Sequence, residues 1–289
     1  MRPPMRTRAF LALPIVLVAA GFIPQASASD PGVAALQVGL HARGLYSGPI
    51  DGITGPGTQK AIRKLQTRAR LTVDGVVGPK TRRALGRFAR HRLGQRQLRL
   101  GKAGWDVASL QFQLAEQGFP SSSFDGIFGP HVDAALRRFQ EYAGLKVDGV
   151  AGPATLAALR KPVATIPLPL AWPLTMPVVG DRFGPRGERW HTGIDLPAPL
   201  GTPAYAARSG EVVWAGWRDG YGFLVTVAHG HGERSMYAHL SRIDVRVGVW
   251  IGQGVRVGLI GATGDATGPH LHFEVRVRGA AVDPLRALP

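Results

Sequence analysis

The 289-residue chain contains no cysteine. That excludes a disulfide framework and a thiolate metal site, so any metal must be held by nitrogen and oxygen donors. Acidic residues are also few, 19 Asp+Glu against 35 Lys+Arg, for a formal net charge of +16. Long apolar runs are confined to the start, MRPPMRTRAFLALPIVLVAAGFIPQASASDP, where Arg2, Arg6 and Arg8 precede an apolar stretch from Ala9 to Ile23. Pro14 interrupts the stretch and Ala26-Ser27-Ala28 follows it, the pattern of a secretory signal cleaved after Ala28 rather than of a bilayer span. Residues 1–28 are therefore expected to be a signal peptide. The mature chain, which has no later apolar segment of spanning length, is expected to be soluble outside the cytoplasm.

The excess positive charge is uneven. Residues 29–97 hold 13 Lys+Arg against 3 Asp+Glu, a net +10, whereas residues 98–161 come to +1 and residues 162–289 to +2. Outside a cell the natural counter-charge is an anionic wall polymer or a lipid surface; nucleic acid is not an expected partner. The plain alternative is a basic surface that only keeps the chain soluble.

An internal repeat explains much of the first half. Leu36-Gln37 recurs as Leu110-Gln111, Asp51-Gly52 as Asp125-Gly126, Gln66 as Gln140, and Asp74-Gly75 as Asp148-Gly149, each displaced by 74 residues. Helical spacing at Val33, Leu36 and Leu40, and again at Ala61, Ile62 and Leu65, with Gly-Pro pairs between, predicts three short helices per copy. Val132 stands where the first copy has Thr58, so an N-terminal hydroxyl cap is expected to be missing there. Neither copy gathers residues suited to catalysis. The pattern from LQ through IDGITGPGTQKAIRKLQ to VDGVVGPKTRRAL, and its second version, resembles the peptidoglycan-binding domains of bacterial wall hydrolases. The resemblance implies two small three-helix, all-α binding repeats at residues 29–88 and 98–161, joined by a basic linker at 89–97.

Five prolines between Pro162 and Pro177 predict a stiff, extended linker over 162–177. Helical spacing then disappears. Segments such as EVVWAGW, FLVTVAH, RSMYAHL and HLHFEVRV, separated by glycine-rich turns, predict an all-β antiparallel domain over 178–289.

Six of the nine histidines fall in this last domain. In GPHLHFEV, strand alternation puts His270, His272 and Glu274 on one face and Leu271, Phe273 and Val275 on the inward one. In HTGID, His191 and Asp195 share a side; with another histidine they make a three-donor set leaving a fourth position open, as a catalytic zinc requires. A loop hydrogen bond between His191 and Asp195 is the plain alternative. If residues 230–233 form a hairpin turn, His239 pairs near Leu224 and lies about 17 Å from His229 along the strands, so one metal cannot take both. His231 sits in the turn. His239 is left as the candidate for an acid-base or electrophilic role.

Together HTGID, YAHLS and GPHLHFE resemble the lysostaphin and LytM zinc endopeptidases, with a likeness running over residues 172–289. That resemblance implies that His191, Asp195 and His272 bind Zn2+ while His239 and His270 are catalytic, acting on water and on the developing oxyanion. Arg186 is a candidate contact for a substrate carboxylate. The implied protein is a secreted, wall-targeted zinc endopeptidase cutting stem peptides or cross-links of peptidoglycan. Its main rival is a non-catalytic wall-binding protein or an activator of another hydrolase. A non-haem iron triad, also built from two histidines and a carboxylate, fits poorly with secretion and wall-binding repeats.

Overall fold

The computed structural model describes residues 29–166 and 169–289; the expected signal peptide, residues 1–28, lies outside the described residues. The first repeat consists of α1 (Pro31–His41), α2 (Pro56–Arg68) and α3 (Pro79–Ala84), and the second of α4 (Trp105–Glu116), α5 (Pro130–Tyr142) and α6 (Pro153–Ala158). Proline opens α2, α3, α5 and α6 directly after a glycine in extended conformation, because the first helical position needs no N–H and the pyrrolidine ring presets φ. Asp30 caps α1, its carboxylate accepting from Gly32 N–H at 2.6 Å.

The repeated glutamines and Asp-Gly pairs form one device used four times. Gln37 accepts Asp51 and Gly52 N–H on Oε1 at 3.0 and 2.9 Å and donates from Nε2 to Asp51 Oδ1 at 2.7 Å. Gln66 with Asp74-Gly75, Gln111 with Asp125-Gly126 and Gln140 with Asp148-Gly149 repeat the bonds to the glycine N–H and the aspartate Oδ1. Each turn is thereby satisfied by a buried amide instead of water. Thr58 is not a cap. It lies in the first turn of α2, beyond the capping Gly55, and its hydroxyl donates to Ile53 O and accepts from Gln37, so the hydroxyl missing at Val132 removes one buried bond of this device.

The repeats are not separate bundles. Helix α1 packs along α4, and Trp105, Ala108, Phe112 and Phe124 of the second copy complete the core built on Leu36, Leu40 and Ile62 of the first. A second core in the same pair surrounds Phe119, Phe128 and Phe139.

The proline-rich stretch does not stand off as a spacer over its whole length. Leu170 and Leu174 are buried in the β core, Leu170 N–H donates to Ala287 O, and Tyr205 N–H donates to Pro173 O. Leu170 and Leu174, set between prolines, find a hydrophobic surface there.

The β domain starts with a short hairpin, β1 (Gly184–Arg186) and β2 (Arg189–His191). A nine-stranded antiparallel sheet follows: β3 (Ile194–Pro197), β4 (Pro203–Tyr205), β5 (Gly210–Arg218), β6 (Gly222–Gly230), β7 (Glu233–Ile243), β8 (Trp250–Ile251), β9 (Arg256–Ile260), β10 (His270–Val277) and β11 (Ala280–Val282). Its main path runs β11-β10-β7-β6-β5-β8, with β3 paired to β10 and β9 to β7 and β4. Leu271, Phe273 and Val275 point into the core with Leu196, Val225 and Tyr237, as the alternation predicts. Burying each such side chain contributes about 1.5–3 kcal/mol. Register shifts between Phe223 and Val225 and between Leu240 and Arg242 bend the sheet on either side of His239. Among the described residues no helix is long and apolar enough to cross a membrane.

Candidate metal centre

Three neighbouring segments bring the donors together. In the β3–β10 pairing Asp195 is the direct cross-strand partner of His272, and His191 stands at the end of β2, four residues before Asp195. The intervening Gly193 passes so close to β10 that a Cβ there would lie 2.3 Å from Phe273 O, which only glycine permits. Asp195 Oδ1 then lies 3.0 Å from His191 Nε2 and 2.7 Å from His272 Nδ1, and these two nitrogens are 3.0 Å apart.

The second nitrogen of each ring explains why these atoms converge. His191 Nδ1 is 2.9 Å from Arg182 O, a carbonyl that can only accept, so Nδ1 carries the proton and the Nε2 lone pair faces Asp195. In His272 the roles are reversed: Nε2 is 3.1 Å from the carboxylate of Glu274, which leaves the Nδ1 lone pair for the centre. Two imidazole nitrogens and one carboxylate oxygen, all within 4.8 Å of one another, with both rings oriented from behind, fit a tetrahedral zinc with an open position. Burial works against ionisation of Asp195, but its hydrogen bonds with His191 and His272 outweigh that and hold the carboxyl well below its usual range. Burial likewise disfavours the His272 imidazolium, yet hydrogen bonds with Asp195 and Glu274 push its pKa up to about 9.

Glu274 was placed on the correct strand face by the sequence, without a role. It is fully buried, and it accepts from the Tyr221 hydroxyl at 3.0 Å, from Arg276 Nε at 2.8 Å and from the Thr192 hydroxyl. Burial opposes its charge; the Arg276 guanidinium and His272 overcome this and keep it ionised far below the normal carboxylate range. Burial and the Glu274 charge push Tyr221 up to about 12, so its phenol stays a donor. Thr192, Tyr221 and Arg276 carry no sequence signal of their own, because they meet Glu274 only through the fold.

His239 and His270 stand side by side, ring centroids 4.7 Å apart, at the edge of the same cleft. His239 Nδ1 donates to Thr263 O at 2.7 Å and His270 Nδ1 to Gly268 O at 2.9 Å, leaving both Nε2 atoms unprotonated in the neutral rings. His270 Nε2 lies 3.7 Å from Asp195 Oδ1. His239 has a positive φ of 60°, a strained conformation for a non-glycine residue at a site where such strain is commonly kept for function. Burial, and then the neighbouring His270 and His272, lower its pKa against the Thr263 hydrogen bond. The cleft has a volume of about 800 Å³ and is also lined by Asp181, Arg186, Tyr221 and Asp265. Arg186 does not point freely at a substrate: Nη1 donates to Asp195 Oδ2 at 3.0 Å and to Asp181 Oδ2 at 3.2 Å, turning Asp195 so that Oδ1 faces the histidines. His229 is held between Ser209 O and Ser235 Oγ outside the cleft lining, and His231 is exposed in the β6–β7 turn.

Comparison with known proteins finds matches over both parts of the chain. Residues 189–284 match peptidase family M23, and residues 29–85 and 104–159 match the "Putative peptidoglycan binding domain". The chain is 41% identical over 124 residues to the DD-carboxypeptidase/endopeptidase Mpg of Neisseria meningitidis serogroup B, covering 42% of this chain and 29% of that protein. It is 36% identical over 115 residues to the murein hydrolase activator EnvC of Escherichia coli, covering 39% of this chain and 27% of that one. The chain thus spans less than a third of the length of these two curated relatives. Against the catalytic domain of the antimicrobial peptidase lysostaphin from Staphylococcus simulans the identity is 34%, over 38% of this chain and 90% of that domain, with a TM-score of 0.36. Zinc is the cofactor of the family whose sequence pattern the centre carries. Residues 189–284 are therefore a peptidase family M23 domain, and two peptidoglycan-binding domains stand ahead of it.

Proposed function

We propose that the protein is a secreted zinc endopeptidase that hydrolyses peptide bonds in the stem peptides or cross-links of peptidoglycan, brought to the wall by its two helical repeats. The observation that carries this reading is the complete set of pre-oriented donors, His191 Nε2, Asp195 Oδ1 and His272 Nδ1, beside two histidines whose Nε2 atoms are free for proton transfer. Zinc held there supplies a Lewis acid that polarises a peptide carbonyl and makes water nucleophilic near neutral pH.

The remaining chemistry falls to the chain's own groups. His239, kept neutral by burial, accepts the proton of the attacking water on Nε2. The ring carrying that proton then donates from Nε2 to the tetrahedral oxyanion or to the departing amine. A donor so aimed is worth about 3 kcal/mol. His270, its ring centroid 4.7 Å from that of His239 and its Nε2 likewise free, stands beside it to donate to the oxyanion once protonated. Arg186 holds Asp195 in its ligating orientation.

An activator role, as named for EnvC, needs none of this set, and the intact donors favour hydrolysis. The test is mass analysis of fragments released from purified walls by the zinc-loaded protein. New amino termini in stem or bridge peptides are expected. Intact peptides after prolonged digestion with fully loaded protein would assign the fold to an activator.

A further inference from the structure

The hairpin that ends in His191 is gripped by both repeats. Its turn presents two successive carbonyls, Gly187 O and Glu188 O, which accept from Ile50 N–H at 2.9 Å and Phe124 N–H at 2.8 Å. Ile50 and Phe124 are equivalent positions, 74 residues apart, each directly before the first Asp-Gly pair of its copy. One repeated feature, held rigid by Gln37 in one copy and Gln111 in the other, therefore grips the hairpin from two sides. At the rim, Glu188 pairs with His41 at 2.9 Å.

The next residue, Trp190, leaves the peptidase core. It packs against the joined core of the repeats and meets Phe112 edge to face at 5.8 Å, while Phe183 closes its other side at 5.7 Å. A second anchor fixes the sheet to the same body: Ala281 N–H of β11 donates to Gly118 O at 3.0 Å. Gly118, at φ +84°, could carry no Cβ there, since it would fall 2.3 Å from Ala281 O. The residues lining the cleft all come from the peptidase domain, so this docking leaves the cleft uncovered.

We propose that the paired repeats are a clamp that positions the metal centre, with Trp190 as a positioning residue for the adjacent ligand His191 and, across the hairpin, for Arg186 on Asp195. A β-hairpin of two three-residue strands is too short to hold its own geometry. Both ends of this one carry residues of the centre, held by contacts with Asp181, Arg182, Asp195 and His272, whereas its turn and Trp190 are held by the repeats. The repeats thus contribute to the peptidase site itself as well as to any contact with the wall. The inference rests on the zinc-centre reading, which zinc stoichiometry and peptide turnover of the unaltered protein test separately.

The test uses the full chain with zinc and a short soluble stem peptide, whose turnover does not depend on wall binding. Phe112→Ala, which empties one side of Trp190 from the repeat side, and Trp190→Ala are expected to weaken zinc binding about tenfold in chelator competition, the usual effect of losing a ligand's support. They are expected to lower kcat with little change in KM, and Trp190→Phe to recover most of the loss. Near-ultraviolet circular dichroism reports folding. If either alanine variant unfolds, Phe112→Leu replaces it, with the same direction and about a threefold loss expected. Folded variants that bind zinc and turn over the peptide like the unaltered protein would overturn the clamp while leaving the zinc reading intact.

Discussion

Replacing Glu274 with glutamine isolates what supports the metal centre, because the side-chain shape is kept and only one charge and one acceptor are lost. The carboxylate accepts from His272 Nε2, Thr192 and Tyr221 on Oε1 and from Arg276 on Oε2. A glutamine has a single acceptor oxygen. If that oxygen faces the three donors, its amide N–H₂ confronts Arg276 Nε–H; if flipped, it confronts the other three. Either way a buried donor is left without an acceptor, at a cost of about 1–3 kcal/mol in stability. His272 also loses the anion that fixes its tautomer, which weakens metal affinity about 10–100-fold, or about 1.4–2.7 kcal/mol. Glu274→Ala removes all four contacts and leaves the half-buried Arg276 without its carboxylate, so it is expected to cost more than Glu274→Gln. The pH dependence has a definite sign. The folded pKa of Glu274 is depressed, so its stabilisation is full above the unfolded value of about 4.3 and is lost as pH falls toward the folded one. The share of the stability gap between the unaltered protein and Glu274→Gln that comes from the Glu274 charge itself is therefore constant near neutrality and narrows in acid. Denaturant unfolding between pH 3 and 8, with chelator competition for zinc, measures both quantities. A Glu274→Gln protein with unchanged zinc affinity and unchanged unfolding midpoint would refute the reasoning.

Four further sets of outcomes are expected. His191→Ala, Asp195→Ala and His272→Ala should each abolish stoichiometric zinc in atomic-emission analysis, since three donors leave no redundancy; apparent affinity should rise with pH toward about 9, as the proton on His272 is given up. The metal-free protein should show the reverse trend: the raised His272 pKa adds stability that is full below about 6.5 and lost as pH rises through about 9, readable in chemical unfolding. His239→Ala and His270→Ala should retain zinc yet lose about 10²–10⁴-fold in peptide turnover, and normal turnover in either would remove that residue from the reaction. Replacing the exposed Arg87, Arg90 and Arg92 with glutamine in the full chain should flatten the salt dependence of cosedimentation with walls, because screening over about 8 Å acts on exposed charges; an unchanged salt slope would make the +10 of residues 29–97 only a solvated surface.

What the sequence determined by itself was local. The 74-residue repeat, the Gly-Pro helix starts and the strand alternation of HLHFEV depend on contacts within a few residues, and these fix the two helical copies, the inward Leu271 and Phe273, and the nitrogen and oxygen donors. Motif likeness supplied the grouping of His191, Asp195 and His272, which the tertiary structure then explains through strand register: Asp195 and His272 are cross-strand partners 77 residues apart. Register between distant strands is not written in alternation, which says which face a side chain takes but not what it will face. For the same reason Glu274 had a face but no partners, Arg186 had a charge but not its carboxylate, and Leu170 and Leu174 looked like spacer between prolines until a core was there to receive them. The grip of Ile50 and Phe124 on one hairpin was decided last of all. It needs two copies to pack on each other and then on a third unit, and a backbone N–H that any residue could supply leaves no trace in the amino-acid order.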